Sequence, residues 1–244
     1  MKRRLMDRLF VLVRVANVEL LGPRLRKVTL TGPALAGADW TPGQHVRVQV
    51  APSPAALDWL VGTPRTCSVW ECRGESLELI VFDHGQRPGA RWACETRPGD
   101  ELILLGPTGT FTTRDAPFHL FAGEETAQVA FGPMMRALPA GVQVFARLET
   151  QTPSERLAPA ADVGARPHWD IDWVYREGRS AASSQSVVDA VAAPPLPEEP
   201  GVAYLAGEAR TIQLIRRHLV EERGWSRRQV RTKPFWAPGR KGLD

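Results

Sequence analysis

The sequence predicts two domains of different class: an antiparallel β-barrel over residues 1–115, followed by an α/β domain with a parallel sheet over residues 116–244. Three observations predict this organisation. The chain has 244 residues, more than most single domains. Its first half consists of short apolar runs separated by Gly and Pro, whereas strand-like and helix-like segments alternate in its second half.

The first half contains runs of alternating apolar residues that are typical of half-buried strands. Gly and Pro turns separate these runs, and many short strands joined in this way indicate a small barrel. One helix is expected between turn signals at residues 88–95. The predicted strands lie at residues 10–15, 28–30, 46–50, 77–81 and 102–105.

The second half predicts strands that alternate with helices, an order typical of a parallel sheet with right-handed crossovers. Strands are expected at residues 119–122, 142–149, 170–175 and 202–209. A first helix carries one apolar stripe as far as Leu138, which favours a continuous, bent helix through Pro133. A second is expected at residues 186–192, and the last ends near residue 222 with Gly224 as its C-cap.

Composition and charge narrow the class of function. Hydrophobic residues make up 43% of the chain and charged residues 24%, and no apolar run is long enough to span a bilayer. We therefore expect a cytoplasmic protein without membrane insertion, because the basic start also lacks a cleavage signal. The net charge is +4, but its basic residues are scattered, so the prediction is a small anionic ligand and no nucleic acid.

The three cysteines indicate neither a disulfide framework nor a metal site. Cys67, Cys72 and Cys94 are odd in number and lack the spacing of zinc ligands. Cys67 and Cys72 are five positions apart, so on one regular strand they would lie on opposite faces.

The most specific indication of function is a series of motifs that occur in a particular order along the chain. Residues 65–70 read RTCSVW, residues 84–85 read HG, residues 88–93 read PGARWA and residues 106–109 read GPTG. Residues 122–126, 205–209 and 235–239 follow as AGEET, LAGEA and FWAPG. In this order, over nearly the whole chain, the motifs resemble the siderophore-interacting protein family. The resemblance implies a flavin-binding barrel, a nicotinamide-nucleotide domain, FAD and NADPH as cofactors, and a ferric siderophore as substrate.

The first motif implies three cofactor contacts on one strand. In this resemblance Arg65 pairs with the FAD pyrophosphate, as an arginine suits a phosphate group. Ser68 would approach the flavin N5 edge as a catalytic residue, or be a strand serine bonded to backbone. Cys67 stands where relatives place a tyrosine on the flavin ring. Trp70 replaces an arginine and either takes over that stacking or fills volume.

The second motif implies contacts from a turn and the helix that follows it. His84 and Gly85 match the H-G turn that approaches the flavin phosphates and ribityl chain. Ala90 belongs to the family's G-P-A segment, which is one residue shorter here. Trp92 either packs in the core or lines the flavin.

The α/β motifs imply contacts to NADPH. Gly123, Glu125 and Thr126 match a G-D-E-T-A turn that faces the nicotinamide nucleotide. Arg176, after the third strand, is a candidate for the 2′-phosphate.

Two further residues are implied at the ends of later strands. Glu208 lies either near the nicotinamide as a catalytic residue or at a helix start as a carboxylate stabilised by the dipole. Trp236, beside Phe235, either contributes to the cofactor crevice or packs in the core.

Two functions follow from this pattern. The first is an FAD-containing, NADPH-dependent reductase of ferric siderophores. The second is a repurposed scaffold with weakened or lost flavin binding, which catalyses a non-redox rearrangement or binds a small molecule. This alternative rests on four departures at positions where relatives contact cofactor: Cys67, Trp70, the shortened 88–90 turn, and a proline at Pro133 where relatives have it at the place of Val129.

Overall fold

The computed structural model describes residues 10–49, 64–83, 88–157 and 166–240. The chain divides into two compact units, residues 1–112 and 113–244. Within the described residues, no helix is both long and apolar enough to cross a membrane.

The first unit is a closed six-stranded antiparallel barrel with the strand order β1-β2-β5-β4-β3-β6, which confirms the predicted class. Its core is lined by alternate, inward-facing residues such as Val13, Leu30, Val48, Leu79 and Leu104. The elements are β1 (Phe10–Gly22), β2 (Leu25–Thr31), β3 (His45–Val48), β4 (Arg65–Arg73), β5 (Ser76–Phe82), the predicted helix α1 (Pro88–Glu95) and β6 (Glu101–Thr108).

The expectation that Cys67 and Cys72 occupy opposite faces is wrong. The pairing of β4 with β5 shifts register between Val69 and Glu71, which leaves Trp70 as the extra residue of a β-bulge. Because a bulge reverses the alternation beyond it, both cysteines contact the barrel core. All three cysteines of the chain are free.

The second unit is a five-stranded parallel sheet in the order β11-β10-β7-β8-β9, as the α/β prediction requires. One face packs on α2, where Phe121 meets Phe131, and the opposite face packs on α3 and α4. The elements are β7 (Phe118–Glu124), α2 (Glu125–Arg136), β8 (Gln143–Thr150), β9 (Trp169–Tyr175), α3 (Gln185–Ala192), β10 (Val202–Glu208), α4 (Ala209–Arg217) and β11 (Val230–Trp236).

Helix boundaries follow the local sequence. Helix α2 continues through Pro133, as its apolar stripe predicts. Helix α4 passes into a π-helical turn, His218–Glu222, and Gly224 follows with a φ of +71°. Strand β11 was not predicted, because exposed residues alternate with half-buried ones along it and it contains Pro234. Proline is tolerated there because β11 lies at the edge of the sheet.

Candidate functional site

Arg65, at the start of β4, has a guanidinium without a partner among the residues that the structure describes. Its Nε is buried and has no hydrogen-bond partner, and the described residues supply no ion pair to the side chain. Its stem lies beside the first turn of α1, since a Cβ built on Gly89 would be 3.6 Å from Arg65 Cγ. A buried donor left unsatisfied costs about 1 to 3 kcal/mol, and a ligand that accepts from Arg65 would remove that cost.

The first turn of α1 adds to the positive potential beside Arg65. Gly89 and Ala90 are the second and third residues of the helix, where backbone N–H groups lack intrahelical partners. The helix dipole also places partial positive charge at this end. A guanidinium and a helix N-terminus together suit a phosphate group, so the residues present fit the pyrophosphate of FAD.

The other predicted barrel residues lie in different environments. Ser68 is half-buried on the strand face opposite Cys67, paired in register with His45. Cys67 belongs to the barrel core, and burial raises the pKa of its thiol to about 12. Trp92 is also a core residue, which is the first of its two predicted roles, although its indole Nε1 is buried without a partner.

Ala90 has a fully buried side chain, so only its backbone amide is suited to a ligand. His84 and Gly85 lie outside the described residues. Cofactor contacts by the barrel residues therefore stay predictions, with Arg65 the best supported by geometry.

The α/β unit has a group of buried acidic side chains at the carboxyl ends of its strands. Glu124 ends β7, Glu125 begins α2, Glu149 lies near the end of β8 and Glu208 ends β10. We call these four residues the carboxylate cluster. Each is at most 4% exposed. Buried carboxylates require charge partners or hydrogen-bond donors, and the structure shows both.

Arg176 neutralises part of the carboxylate cluster. Its Nη1 donates to Glu125 Oε2 at 2.5 Å and to Glu149 Oε1 at 3.1 Å, and its Nη2 donates to the second oxygen of Glu125. Burial opposes the charge, but the two glutamates more than offset this and raise the pKa of Arg176. Arg176 is 4% exposed and would have to leave these carboxylates to bind a phosphate, so its 2′-phosphate role stays a prediction.

Both oxygens of Glu125 accept from Arg176, and its cofactor contact stays a prediction. Glu149 has a further partner, because Ser184 donates its hydroxyl to the second oxygen of that carboxylate. Burial raises the pKa of Glu149, although the hydrogen bond from Ser184 and the charge of Arg176 oppose this. These contacts join β8 to the segments that follow β7 and β9.

Glu124 caps α2 with its own side chain. One oxygen accepts from the Thr126 amide at 3.0 Å, and the other accepts from the Thr126 hydroxyl and, at 3.1 Å, from the Trp236 indole. Burial, followed by the charge of Glu125, raises the pKa of Glu124 to about 7. Thr126 and Trp236 therefore have structural partners here, and their cofactor contacts stay predictions.

Two glycines make room at this cap. A Cβ on Gly207, whose φ is +113°, would lie 2.5 Å from Glu124 Oε1. A Cβ on Gly123 would lie 2.1 Å from the Ala206 carbonyl oxygen. Gly123 is thus required for the close packing of β7 against β10, and its cofactor contact stays a prediction.

Glu208 has the second of its two predicted roles, that of a helix-start carboxylate. It accepts from the amides of Arg210 at 2.9 Å, Thr211 at 2.8 Å and Ser183 at 3.1 Å. Burial opposes ionisation, but these hydrogen bonds outweigh it and lower the pKa of Glu208. Glu208 is 1% exposed and caps α4, and its predicted catalytic placement near the nicotinamide stays a prediction.

Sequence reasoning missed Glu124 and Glu149. A usable signal exists: both follow an apolar strand, in FHLFAGE and QVFARLE, where a charged residue ends a buried run. Carboxyl ends of parallel strands are where polar groups of such domains gather.

Comparison with known proteins agrees with this architecture. The family model described as siderophore-interacting protein matches residues 116–239. The chain is 27% identical over 238 residues to the ferric vibriobactin reductase ViuB of Vibrio cholerae serotype O1, covering 88% of this chain and 85% of that protein. It is 21% identical over 169 residues to the NADPH-dependent ferric-chelate reductase of Escherichia coli K12, covering 66% and 60%.

A solved structure has the same fold over almost the whole chain. A siderophore utilization protein from T. fusca superposes with a TM-score of 0.83 at 27% identity, covering 96% of this chain and 95% of that one. The chain belongs to the siderophore-interacting protein family. The class that the fold defines is a two-unit protein with an antiparallel barrel followed by a parallel α/β unit, an architecture that it shares with these siderophore-related proteins.

Proposed function

We propose that this protein is an FAD-containing reductase that uses NADPH to reduce ferric siderophores in the cytoplasm. The observation that carries the proposal is Arg65, whose buried Nε lacks a partner beside the first turn of α1. A guanidinium and a helix N-terminus brought together without an anion suit a diphosphate. Both features belong to the barrel unit, as expected for a flavin site.

When bound, NADPH and FAD would supply a hydride and its conversion into single electrons that Fe(III) accepts. The residues of this chain do the positioning. Arg65 would neutralise the pyrophosphate, and the amides of Gly89 and Ala90 would donate to it. Ser68, exposed enough to be reached, would hydrogen-bond the flavin ring. Catalysis by such a protein consists mainly of holding the reacting groups in place.

The substrate class comes from the relatives. The most informative name is that of a ferric vibriobactin reductase, aligned over most of both chains. A ferric chelate also appears in the name of the Escherichia coli relative, which specifies NADPH. We carry the class, a ferric siderophore, to this chain. Because a hydride provides two electrons, each NADPH should reduce two Fe(III) ions.

The test uses the full chain. The purified protein is titrated with FAD, and its absorbance is followed near the visible flavin bands. NADPH is then added anaerobically, followed by the iron complex of a catecholate or a hydroxamate siderophore and a chromogenic Fe(II) chelator. We expect bleaching by NADPH and reoxidation with release of two Fe(II) per NADPH. Failure to bind FAD would overturn the proposal and favour the repurposed scaffold.

A further inference from the structure

The two edge strands of the α/β sheet, β9 and β11, differ in how they are protected. Strand β11 contains Lys233 and Pro234, and its pairing with β10 shifts register between Gly207 and Glu208. A charge, a proline and an irregular register are features by which edge strands avoid pairing with another chain. Strand β9 contains neither proline nor lysine, and it pairs with β8 over its whole length without a shift. The β9 edge is therefore regular and open to a further strand.

Backbone groups of alternate residues in β9 point away from β8. The Arg176 amide, just beyond the strand, donates to the Thr150 carbonyl of β8 at 3.0 Å. In a parallel pair, alternate residues of a strand bond to the same neighbour. Even-numbered residues of β9 thus face β8, and the N–H and C=O groups of odd-numbered residues face outward. The described residues supply no strand on this side to bond Ile171 and Trp173.

The side chains of β9 divide into an apolar face and an acidic face. Asp170 and Asp172 are exposed on one face. The other face carries four half-buried side chains: Trp169, Ile171, Trp173 and Tyr175. A second strand paired with β9 would extend this apolar face.

The order of these residues permits β9 to pair with a second copy of itself. Two copies would run antiparallel about a two-fold axis, and the residue on that axis fixes the register. An axis at Ile171 or Asp172 would place aspartates of the two copies opposite each other, which is destabilising. An axis at Trp173 places Asp172 opposite the partner's Val174 instead. In that register Ile171 and the partner's Tyr175 exchange backbone hydrogen bonds, because odd-numbered residues face outward.

Charges at the ends of β9 are complementary in the same register. Trp169 lies opposite the partner's Glu177, two residues beyond the strand. The Arg166 guanidinium lies over the Trp169 ring at 4.6 Å. Glu177 is exposed, and it has no ion pair with the described residues. Each end of the paired strands thus brings an arginine toward a carboxylate.

We propose that two copies of this chain associate through β9, antiparallel about Trp173, so that two five-stranded sheets become one continuous sheet. Such an interface uses the same surface on both copies and therefore closes at the dimer. The apolar faces meet as one stripe, with Trp173 beside the partner's Trp173. Association through β9 requires no bound cofactor, so it can be tested separately from the proposed function.

The test is sedimentation equilibrium of the full chain over a series of concentrations. Ile171→Pro removes an N–H that points away from β8, so the pairing of β9 with β8 is retained. Its matched control is Thr232→Pro on β11, two residues before Pro234 and thus also at an N–H that does not bond the neighbouring strand. A second variant, Trp173→Glu, places like charges opposite each other at the axis. Thermal unfolding of each variant verifies that the fold is retained.

We expect the wild type and Thr232→Pro to reach twice the monomer mass of 26.9 kDa as the concentration rises. Ile171→Pro and Trp173→Glu should weaken this association by about tenfold or more. A wild type that stays monomeric at every concentration, or a dimer that Ile171→Pro leaves intact, would overturn the proposal.

Cross-linking tests the register. Paired residues that exchange hydrogen bonds have Cα atoms about 5.5 Å apart, within reach of a disulfide. On mild oxidation Trp173→Cys should therefore give a covalent dimer, and Asp172→Cys should not. Both are made with Cys94→Ser, because Cys94 is exposed. A covalent dimer formed by Asp172→Cys and not by Trp173→Cys would overturn the axis at Trp173.

Discussion

Arg65 in the barrel unit and Arg176 in the α/β unit are both arginines that sequence motifs assign to phosphate, and their environments differ. Both have a buried Nε without a hydrogen-bond partner, but Arg65 forms no ion pair with the described residues. Arg176 donates to two buried glutamates. The difference teaches that two arginines with similar motifs can differ in the ion pairs that they form, and therefore in how readily each could take a phosphate.

The largest effect is expected for Arg176→Met, which leaves Glu125 and Glu149 buried without their cation. Removing one partner of a buried ion pair costs about 3 to 5 kcal/mol. Urea unfolding of the full chain should show a loss of this size, whereas the exposed control Arg216→Met should change stability by at most about 0.5 kcal/mol.

Adding Glu125→Gln and Glu149→Gln to Arg176→Met should recover much of that stability. A stable Arg176→Met protein that had lost affinity for NADPH but not for NADH would support the phosphate role of Arg176.

A smaller effect is expected for the pH dependence of Glu124→Gln. The folded pKa of Glu124 is about 7 against an ordinary value of 4.5. Between these two pKa values the native state holds a proton on Glu124 that the unfolded state has lost. The stability that this proton contributes is present at low pH and is lost as the pH rises through about 7. The glutamine side chain does not titrate. The free energy of unfolding of Glu124→Gln, relative to that of the wild type, should therefore increase between about pH 5 and pH 8, by roughly 1 to 3 kcal/mol.

The comparison with the wild type cancels other titrations in the same interval. Burial lowers the pKa of His119 and raises that of Glu149 in both proteins. A stability difference that stays constant from pH 5 to pH 8 would show that Glu124 titrates as an ordinary carboxyl group.

Gly207→Ala tests whether the helix cap formed by Glu124 requires a residue without a side chain at position 207. Gly207 and Gly178 both have positive φ, +113° and +94°, but only Gly207 is crowded, with Glu124 Oε1 2.5 Å from the position of a Cβ. Both alanines would strain the backbone, so the excess cost at Gly207 measures crowding. We expect Gly207→Ala to be less stable than Gly178→Ala by about 1 to 3 kcal/mol. Equal melting temperatures would mean that the carboxylate moves aside freely.

The smallest effect is expected for Trp236→Phe, which removes one of the donors to Glu124. The distance from the indole Nε1 of Trp236 to Glu124 Oε1 is 3.1 Å, and Trp236 is half-buried. Loss of one hydrogen bond should cost about 0.5 to 1.5 kcal/mol. If unfolding instead shows no loss while FAD reduction slows, Trp236 contributes to the cofactor site, as its motif predicts.

Much of the fold could be predicted because strand alternation and helical periodicity are local. The barrel, the parallel sheet and α1 follow from such patterns, and the family follows from ordered motifs. The face of β4 on which Cys67 and Cys72 lie could not be predicted, because the β-bulge at Trp70 depends on how β4 pairs with β5. Strand β11 was not predicted either, because an edge strand that contains a proline lacks a clear apolar run.

Less of the site could be predicted, because burial of charge depends on distant partners. Arg176 is 51 positions from Glu125, and no local pattern joins them. Glu208 could be assigned to a helix start because that role is local. The sequence thus locates the functional segments, while the partners decide the role of each charged residue.

The most direct test of the account is FAD binding by Arg65→Gln, measured by fluorescence titration of the full chain. The matched control is Arg73→Gln at the other end of β4, where the arginine is exposed and paired with Glu71. The account predicts that Arg65→Gln weakens FAD binding by about 1.5 to 3 kcal/mol, roughly tenfold to a hundredfold, while the control matches the wild type. Unchanged FAD affinity in Arg65→Gln would contradict the claim that an arginine without an ion pair among the described residues marks the flavin site.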